Sequence, residues 1–192
     1  TPMVVATNTT IKTYASGTDV DVIEGEFHMH EGSGVISKMV SSADVTVTGL
    51  HINPGVTLTL TLNTNNGGNT GLESVYVTLN NDFQNDGTIT VVDLASGATP
   101  LTSASPYTAD GTSLDKGGLY INANGFALNN GTITTKGTDT TGETVGGRGG
   151  WIELNSGNVT VNRGTINASG GAATNAAGWG GYGGNPIHLY SN

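Results

Sequence analysis

Hydrophobic and polar residues alternate with a period of two along several short stretches of the chain. The clearest are residues 56–62, 75–79 and 159–161, where valine or leucine alternates mainly with threonine, and residues 45–48 follow the same pattern. Successive side chains of a β-strand point to opposite faces of its sheet, so this pattern predicts strands with one buried and one exposed face.

Two glycine-containing markers recur between these stretches. A Gly-Thr-Ile sequence leads into a strand at three places, and a Gly-Gly pair opens a strand at three others. The first marker begins at Gly87, Gly131 and Gly164, and the second ends at Gly118, Gly150 and Gly184. If Gly55 belongs to an earlier copy of the first marker, the spacing of the markers predicts a repeat of about 32 residues. One of the repeat units is longer than the others.

A repeat of this length built from short strands predicts an all-β fold, a right-handed parallel β-helix (β-solenoid) with coils of about 32 residues. Residues 45–192 are assigned to the coils, with loop insertions near residues 96–111 and 170–184, which are rich in small and turn-forming residues. Residues 1–44 match the repeat poorly and are expected to form an N-terminal β cap within the same structural domain.

Composition excludes several classes of protein. The chain has 192 residues, of which 31 are glycine and only 11% are charged, and its net charge is -9. An acidic chain rich in glycine, threonine and asparagine argues against a helical bundle, a nucleic-acid-binding surface and insertion into a membrane. The absence of cysteine excludes disulfides and thiolate metal ligands.

The turn sequences at residues 129–134 and 162–170, Asn-Asn-Gly-Thr-Ile-Thr and Asn-Arg-Gly-Thr-Ile-Asn-Ala-Ser-Gly, resemble the repeats of bacterial autotransporter and filamentous-haemagglutinin passengers. The resemblance implies a secreted or cell-surface protein with a structural and adhesive role. Its expected partners are a glycan or protein on a host or neighbouring cell, or further copies of itself. The resemblance supplies no catalytic residue.

Two other functions stay open at this stage. The chain could be the subunit of a self-assembling extracellular filament, in which residues 184–192 complete a neighbour by strand addition and Ile187, Leu189 and Tyr190 form the assembly edge. It could also be a carbohydrate-active enzyme, a polysaccharide lyase or hydrolase. Hydrolysis needs facing carboxylates, whereas the clear repeat units hold isolated acids such as Glu153. The chain is therefore expected not to be an enzyme.

Three aromatic residues are candidates for ligand binding. Trp151 opens a strand after a glycine-rich turn, and Trp179 and Tyr182 lie in a glycine-rich segment that offers them little cover. Exposed rings of this kind stack on sugars or on a partner protein. The alternative for Trp151 is that it caps a stack of core residues.

The sequence offers weak candidates for a metal site. His28 and His30 occupy the same face of a predicted strand, and a third ligand would have to come from His51 or His188. Acidic residues that are candidates for calcium are Asp19, Asp21, Glu24 and Glu26. No calcium-binding motif is present, so no cofactor is predicted.

The Thr-x-Thr sequences, such as Thr57-Leu58-Thr59, raise one more possibility. An ice-binding face would need threonine at one position in successive layers of the fold. From the sequence these ranks are expected to be interrupted, which argues against that function.

Overall fold

In the computed structural model, the structure describes residues 3–12, 28–31, 49–63, 74–94, 116–140, 146–173 and 187–192. These residues form fifteen strands and no helix, so they contain no helix able to cross a membrane. The strands are β1 (Met3–Val5), β2 (Thr9–Lys12), β3 (His28–Glu31), β4 (Gly49–Ile52), β5 (Thr57–Asn63), β6 (Ser74–Leu79), β7 (Asp82–Asn85), β8 (Thr88–Leu94), β9 (Gly118–Ala123), β10 (Ala127–Asn129), β11 (Thr132–Thr134), β12 (Ile152–Ser156), β13 (Thr160–Asn162), β14 (Thr165–Asn167) and β15 (Ile187–Ser191).

The strands form three five-stranded sheets in which every third strand of the chain is a neighbour. Sheet I has the order β1-β4-β7-β10-β13, sheet II the order β2-β5-β8-β11-β14, and sheet III the order β3-β6-β9-β12-β15. Three consecutive strands, one in each sheet, therefore make one layer, and five layers stack on one another. All pairings are parallel except that of β3 with β6.

The fold class predicted from the sequence, a right-handed parallel β-helix with coils of about 32 residues and an N-terminal β cap, is wrong. Strands β1 and β2 of the expected cap are members of sheets I and II and pair in parallel with β4 and β5. Strand β3 runs antiparallel to β6. Corresponding residues of successive layers are separated by 44 positions between Asn85 and Asn129 and by 33 between Asn129 and Asn162. The structure supports an all-strand protein with three parallel sheets, an architecture compatible with a β-solenoid.

The N-terminal segment was misassigned because it lacks the Gly-Thr-Ile marker. Its strands join the other layers through buried apolar residues. Val5 is 3% exposed and pairs with the fully buried Ile52, so β1 continues an inward column of sheet I. The turn that follows Ile52 contains Gly55, whose φ of 75° is in the left-handed region. This turn differs from the downstream turns in sequence, although the strands on either side of it align.

The three sheets enclose one hydrophobic core built from columns of aligned residues. In sheet III, for example, Val75, Leu119 and Ile152 are paired in register, and all three are 0% exposed. Burying each such side chain contributes about 1.5–3 kcal/mol to folding. The core members of the other two sheets are Val5, Leu50, Ile52, Phe83 and Ala127 in sheet I, and Leu58, Leu60, Ile89, Val91 and Ile133 in sheet II.

A column of three asparagines, two of them buried, continues along the strand ends of sheet I. Asn85 donates from Nδ2 to Oδ1 of Asn129 over 2.8 Å, and Asn129 donates from Nδ2 to Oδ1 of Asn162, also over 2.8 Å. Asn85 and Asn129 are 0% exposed. We call these three residues the asparagine ladder. Because buried amides must be hydrogen-bonded, the ladder fixes the register between the third, fourth and fifth layers.

Glycines of the Gly-Thr-Ile marker allow the turns of neighbouring layers to lie directly on one another. A Cβ atom on Gly131 would overlap the carbonyl oxygen of Gly87, and one on Gly164 would overlap the carbonyl oxygen of Gly131. The next residue donates across the layers in each case, with Thr132 N to Gly87 O and Thr165 N to Gly131 O both 2.8 Å. The backbones of neighbouring layers are therefore too close at the marker for any residue with a Cβ atom.

Candidate functional site

Each of the three sheets presents a different surface to solvent. Sheet I carries a polar group of four side chains, His51, Gln84, Asp86 and Asn130, which we call the His51 cluster. Sheet II carries aligned threonines, and sheet III carries an aromatic group formed by Tyr120, Trp151, His188 and Tyr190. The fifth layer forms a fourth candidate surface at the end of the stack.

The His51 cluster is centred on the carboxylate of Asp86, at the turn between β7 and β8. Its Oδ2 accepts a hydrogen bond from His51 Nε2 at 2.7 Å and another from Gln84 Nε2 at 2.7 Å. Its Oδ1 accepts from Asn130 Nδ2 at 2.7 Å. His51 lies in the second layer, Gln84 in the third and Asn130 in the fourth, so the carboxylate joins three layers.

These hydrogen bonds determine the protonation of Asp86. The hydrogen bond from Asn130, followed by those from His51 and Gln84, lowers the pKa of Asp86, while partial burial acts in the opposite direction. The side chains of His51 and Asp86 are 32% and 18% exposed, so solvent screens the pair only in part. The ionised carboxylate of Asp86, hydrogen-bonded to three donors, therefore connects neighbouring layers.

Replacing Asp86 by asparagine is expected to destabilise the protein at neutral pH by about 1–2 kcal/mol, because hydrogen bonds to a charged acceptor are lost. The folded-state pKa is lowered, so the stabilisation is present above the unfolded pKa of about 3.9 and disappears as the pH falls through the folded value. The difference in the free energy of unfolding between wild type and D86N, measured with urea, should therefore be largest at pH 7 and decrease in acid.

The control for this prediction is Asp139→Asn. Asp139 accepts hydrogen bonds from Lys136 Nζ at 2.8 and 3.0 Å and from Ala172 N at 2.7 Å, but its side chain is 54% exposed and Lys136 lies only three positions before it. Exposed pairs contribute little to stability, so D139N is expected to change it less than D86N does. A D86N variant as stable as the wild type at pH 7 would show that the hydrogen bonds to the Asp86 carboxylate do not stabilise the protein.

The aromatic group lies on the outer surface of sheet III and spans its last three layers. Trp151 stacks on Tyr120 with ring centroids 6.1 Å apart, and its ring meets that of His188 edge-on at 5.5 Å. His188 also contacts Tyr190 edge-on at 5.3 Å, and Tyr190 Oη and His188 Nδ1 are hydrogen-bonded at 2.5 Å. Trp151 is half-buried and Tyr190 is 43% exposed.

One polar atom of this group has no partner within the part of the chain that the structure describes. Trp151 Nε1 is buried and makes no hydrogen bond there. Buried indole N–H groups are usually paired, so a buried water molecule is the expected partner of this donor. The predicted role of Trp151 in binding stays a prediction.

The other residues predicted to bind a ligand or a metal are not brought together. Trp179 and Tyr182 lie outside the described residues, as do Asp19, Asp21, Glu24 and Glu26, the insertion near residues 96–111, and residues 174–184 of the insertion near residues 170–184. His28 and His30 lie in β3, at the opposite edge of sheet III from His188, and His51 lies in sheet I. No group of three His, Asp or Glu side chains able to hold a metal ion occurs within the described ranges.

The fifth layer exposes apolar residues at positions that are buried in the second, third and fourth layers of sheet III. Ile187 pairs with the buried Ile152 and Leu189 with the buried Leu154, yet Ile187 and Leu189 are 39% and 42% exposed. Tyr190, predicted with them as part of an assembly edge, lies in the same strand but belongs to the outer aromatic group. An exposed apolar column at the outermost described strand of a sheet is a surface suited to strand addition.

Comparison with known proteins found no matching protein-family model, no similar curated protein and no similar solved structure. The candidate sites are therefore assessed on their own geometry. Sequence reasoning singled out His51 and Trp151 but missed their contacts. The alignment of Gly55 with Gly87 was a usable signal for His51 and Asp86, since it places the turns at which they lie in neighbouring layers.

Proposed function

We propose that the protein is an exported surface protein with a structural and adhesive role, in which the layered sheets form a stiff scaffold and the fifth layer joins a second copy of the chain. The observation that carries the proposal is the exposed apolar column at Ile187 and Leu189. The resemblance of the turn sequences to those of autotransporter and filamentous-haemagglutinin passengers supports an exported, surface-displayed scaffold.

The edge of the fifth layer offers every element that stacks one layer on the next. Ile187 and Leu189 supply the apolar column of sheet III, and Ile166 lies partly buried against the core from sheet II. Asn162 is the exposed last member of the asparagine ladder, with its amide at the position from which Asn85 and Asn129 donate to the next layer. Parallel strand edges in all three sheets supply backbone donors and acceptors.

A second copy fits this edge in a head-to-tail manner. Among the described residues, β1 and β2 are the outermost strands of the first layer in sheets I and II and run parallel to β4 and β5. The two ends of the stack are different surfaces, so their contact is heterologous. Contacts of this kind that do not close into a ring generate filaments.

Light scattering and negative-stain imaging over a concentration series test this assembly. We expect ordered filaments from the wild type, and an increase of at least about tenfold in the concentration needed for assembly in Leu189→Lys, equal to about 1.4 kcal/mol. A lysine in the apolar column places a charge at the edge and blocks strand addition.

The matched control is Asn122→Lys, which adds the same charge at an exposed position of β9 in the third layer. This variant is expected to assemble as the wild type does. A wild-type chain that stays monomeric at every concentration, or equal effects of the two lysine variants, would contradict assembly through the fifth layer.

The adhesive part of the proposal rests on the aromatic group of sheet III. Tyr120, Trp151, His188 and Tyr190 form a continuous surface of rings, of which Tyr190 is 43% exposed. Rings with one polar atom are suited to the apolar face and hydroxyl groups of a sugar. A glycan array probed with the wild-type chain tests this role. The absence of any bound glycan would contradict the adhesive role and would not affect the structural one.

A further inference from the structure

The outer surface of sheet II carries two parallel columns of threonine. The first column contains Thr57, Thr88, Thr132 and Thr165, which are paired directly in consecutive strands β5, β8, β11 and β14. The second contains Thr59, Thr90 and Thr134, paired in the same way, and Thr10 of β2 has the same register position. We call the seven threonines from Thr57 to Thr165 the threonine array. The expectation that threonine ranks are interrupted is correct only in part: the second column ends at Asn167 of β14 and Thr61 pairs with Val92, but the two columns continue over three or four strands.

The interruption expected from the sequence had a simple origin. The paired threonines Thr88 and Thr132 are 44 positions apart, whereas Thr132 and Thr165 are 33 apart, so no constant period aligns them. The extra residues of the third layer lie between β8 and β9 and leave the register within sheet II intact. Pairing of strands, not the spacing along the chain, produces the array.

The array is a regular two-dimensional lattice. Neighbouring strands are about 4.8 Å apart, and alternate residues of one parallel strand are about 6.6 Å apart. The stacked turns at Gly87, Gly131 and Gly164 hold the starts of three of these strands in register. Threonine is β-branched and stiff at χ1, so its methyl and hydroxyl groups are held in fixed positions before any ligand binds.

The hydroxyl groups of the array are available to solvent. Among the described residues, the only hydrogen bond of these seven hydroxyls is one that Thr134 Oγ1 accepts from Lys136 N at 3.1 Å. Six of the side chains are half-buried and Thr165 is exposed, which is the exposure of residues in a flat, closely spaced surface. The two columns contain no charged residue, although the chain has a net charge of -9.

We propose that the threonine array binds the surface of ice. Water oxygens on faces of hexagonal ice repeat at distances close to both spacings of the array, so many hydroxyls and methyls can meet the lattice at once. A single threonine cannot distinguish ice from liquid water, but several held on a rigid lattice act as one multivalent ligand. The array has no aromatic ring to stack on sugar and no charge to pair with an ionic partner, which favours a neutral crystalline surface.

This inference goes beyond the proposed scaffold function and does not depend on assembly at the fifth layer. The test is thermal hysteresis and partition of labelled protein into a growing ice crystal, measured on wild type and on Thr90→Tyr and Thr132→Tyr. We expect hysteresis and ice partition in the wild type and loss of both in the variants, because a large ring lifts the lattice away from the ice. The matched control is Thr78→Tyr on the outer surface of sheet III, which should retain both.

Two conservative variants separate ice binding from general damage to the fold. Thr132→Val keeps the branched shape and the methyl group but loses the hydroxyl, and Thr132→Ser keeps the hydroxyl but loses the methyl group. Both are expected to fold as the wild type does by circular dichroism and to show reduced hysteresis. Partition of the wild type no greater than that of a non-binding protein would overturn the proposal, as would an equal loss in Thr78→Tyr. Binding to crystalline cellulose or chitin without hysteresis would overturn it too.

Discussion

Replacing Gly131 by alanine is expected to lower the free energy of unfolding by about 3 kcal/mol or more, the upper range for an overpacked site. The added Cβ would overlap the carbonyl oxygen of Gly87 in the layer below, and the atom in the way is backbone. That carbonyl also accepts the hydrogen bond from Thr132 N at 2.8 Å, so it cannot move without weakening the contact between the layers. Urea unfolding followed by circular dichroism measures the loss.

The matched control is Gly55→Ala, which separates close approach from backbone conformation. Gly55 has a φ of +75° and nothing within 4 Å of its Cβ position. Alanine there costs only the strain of the left-handed conformation, about 1–2 kcal/mol. Equal losses in the two variants would show that space between the turns does not explain the Gly-Thr-Ile marker.

Local chemistry explains which parts of the fold could be predicted from the sequence. The alternation at residues 56–62 coincides with β5, Thr57–Asn63, and that at residues 75–79 with β6, Ser74–Leu79. The glycine of each Gly-Thr-Ile marker immediately precedes the first residue of a strand. These residues are Thr88 of β8, Thr132 of β11 and Thr165 of β14. Turn glycines and alternating strands are features of a few neighbouring residues, so a single sequence is enough to find them.

Pairing between layers could not be predicted in the same way, because it depends on residues far apart along the chain. The marker-based period left β1 and β2 in a separate cap, whereas Val5 and Ile52 align them with the other layers. The contact of His51 with Asp86 joins residues 35 positions apart through a turn of different sequence. An unequal number of residues per layer hides such pairs and also hid the threonine array.

Replacing Asn129 by alanine is expected to cost about 3 kcal/mol, since each buried polar group left without a partner costs about 1–3 kcal/mol. Asn129 is 0% exposed and is the middle member of the asparagine ladder. Its Nδ2 donates to Asn162 Oδ1 at 2.8 Å and to Thr165 O at 3.3 Å, and its Oδ1 accepts from Asn85 Nδ2 at 2.8 Å. The control Asn122→Ala, at an exposed position of β9, should change stability by less than about 0.5 kcal/mol.

The variant Asn129→Asp distinguishes loss of hydrogen bonds from loss of volume. It keeps the size of the side chain and the acceptor for Asn85, but an ionised carboxylate would face Asn162 Oδ1 and the Thr165 carbonyl, which are both acceptors. Burial and these neighbours raise the pKa of the new carboxyl above its unfolded value of about 3.9. The variant should therefore approach wild-type stability below that pH and lose stability as the pH rises. A pH-independent loss equal to that of Asn129→Ala would show that the ladder acts through packing alone.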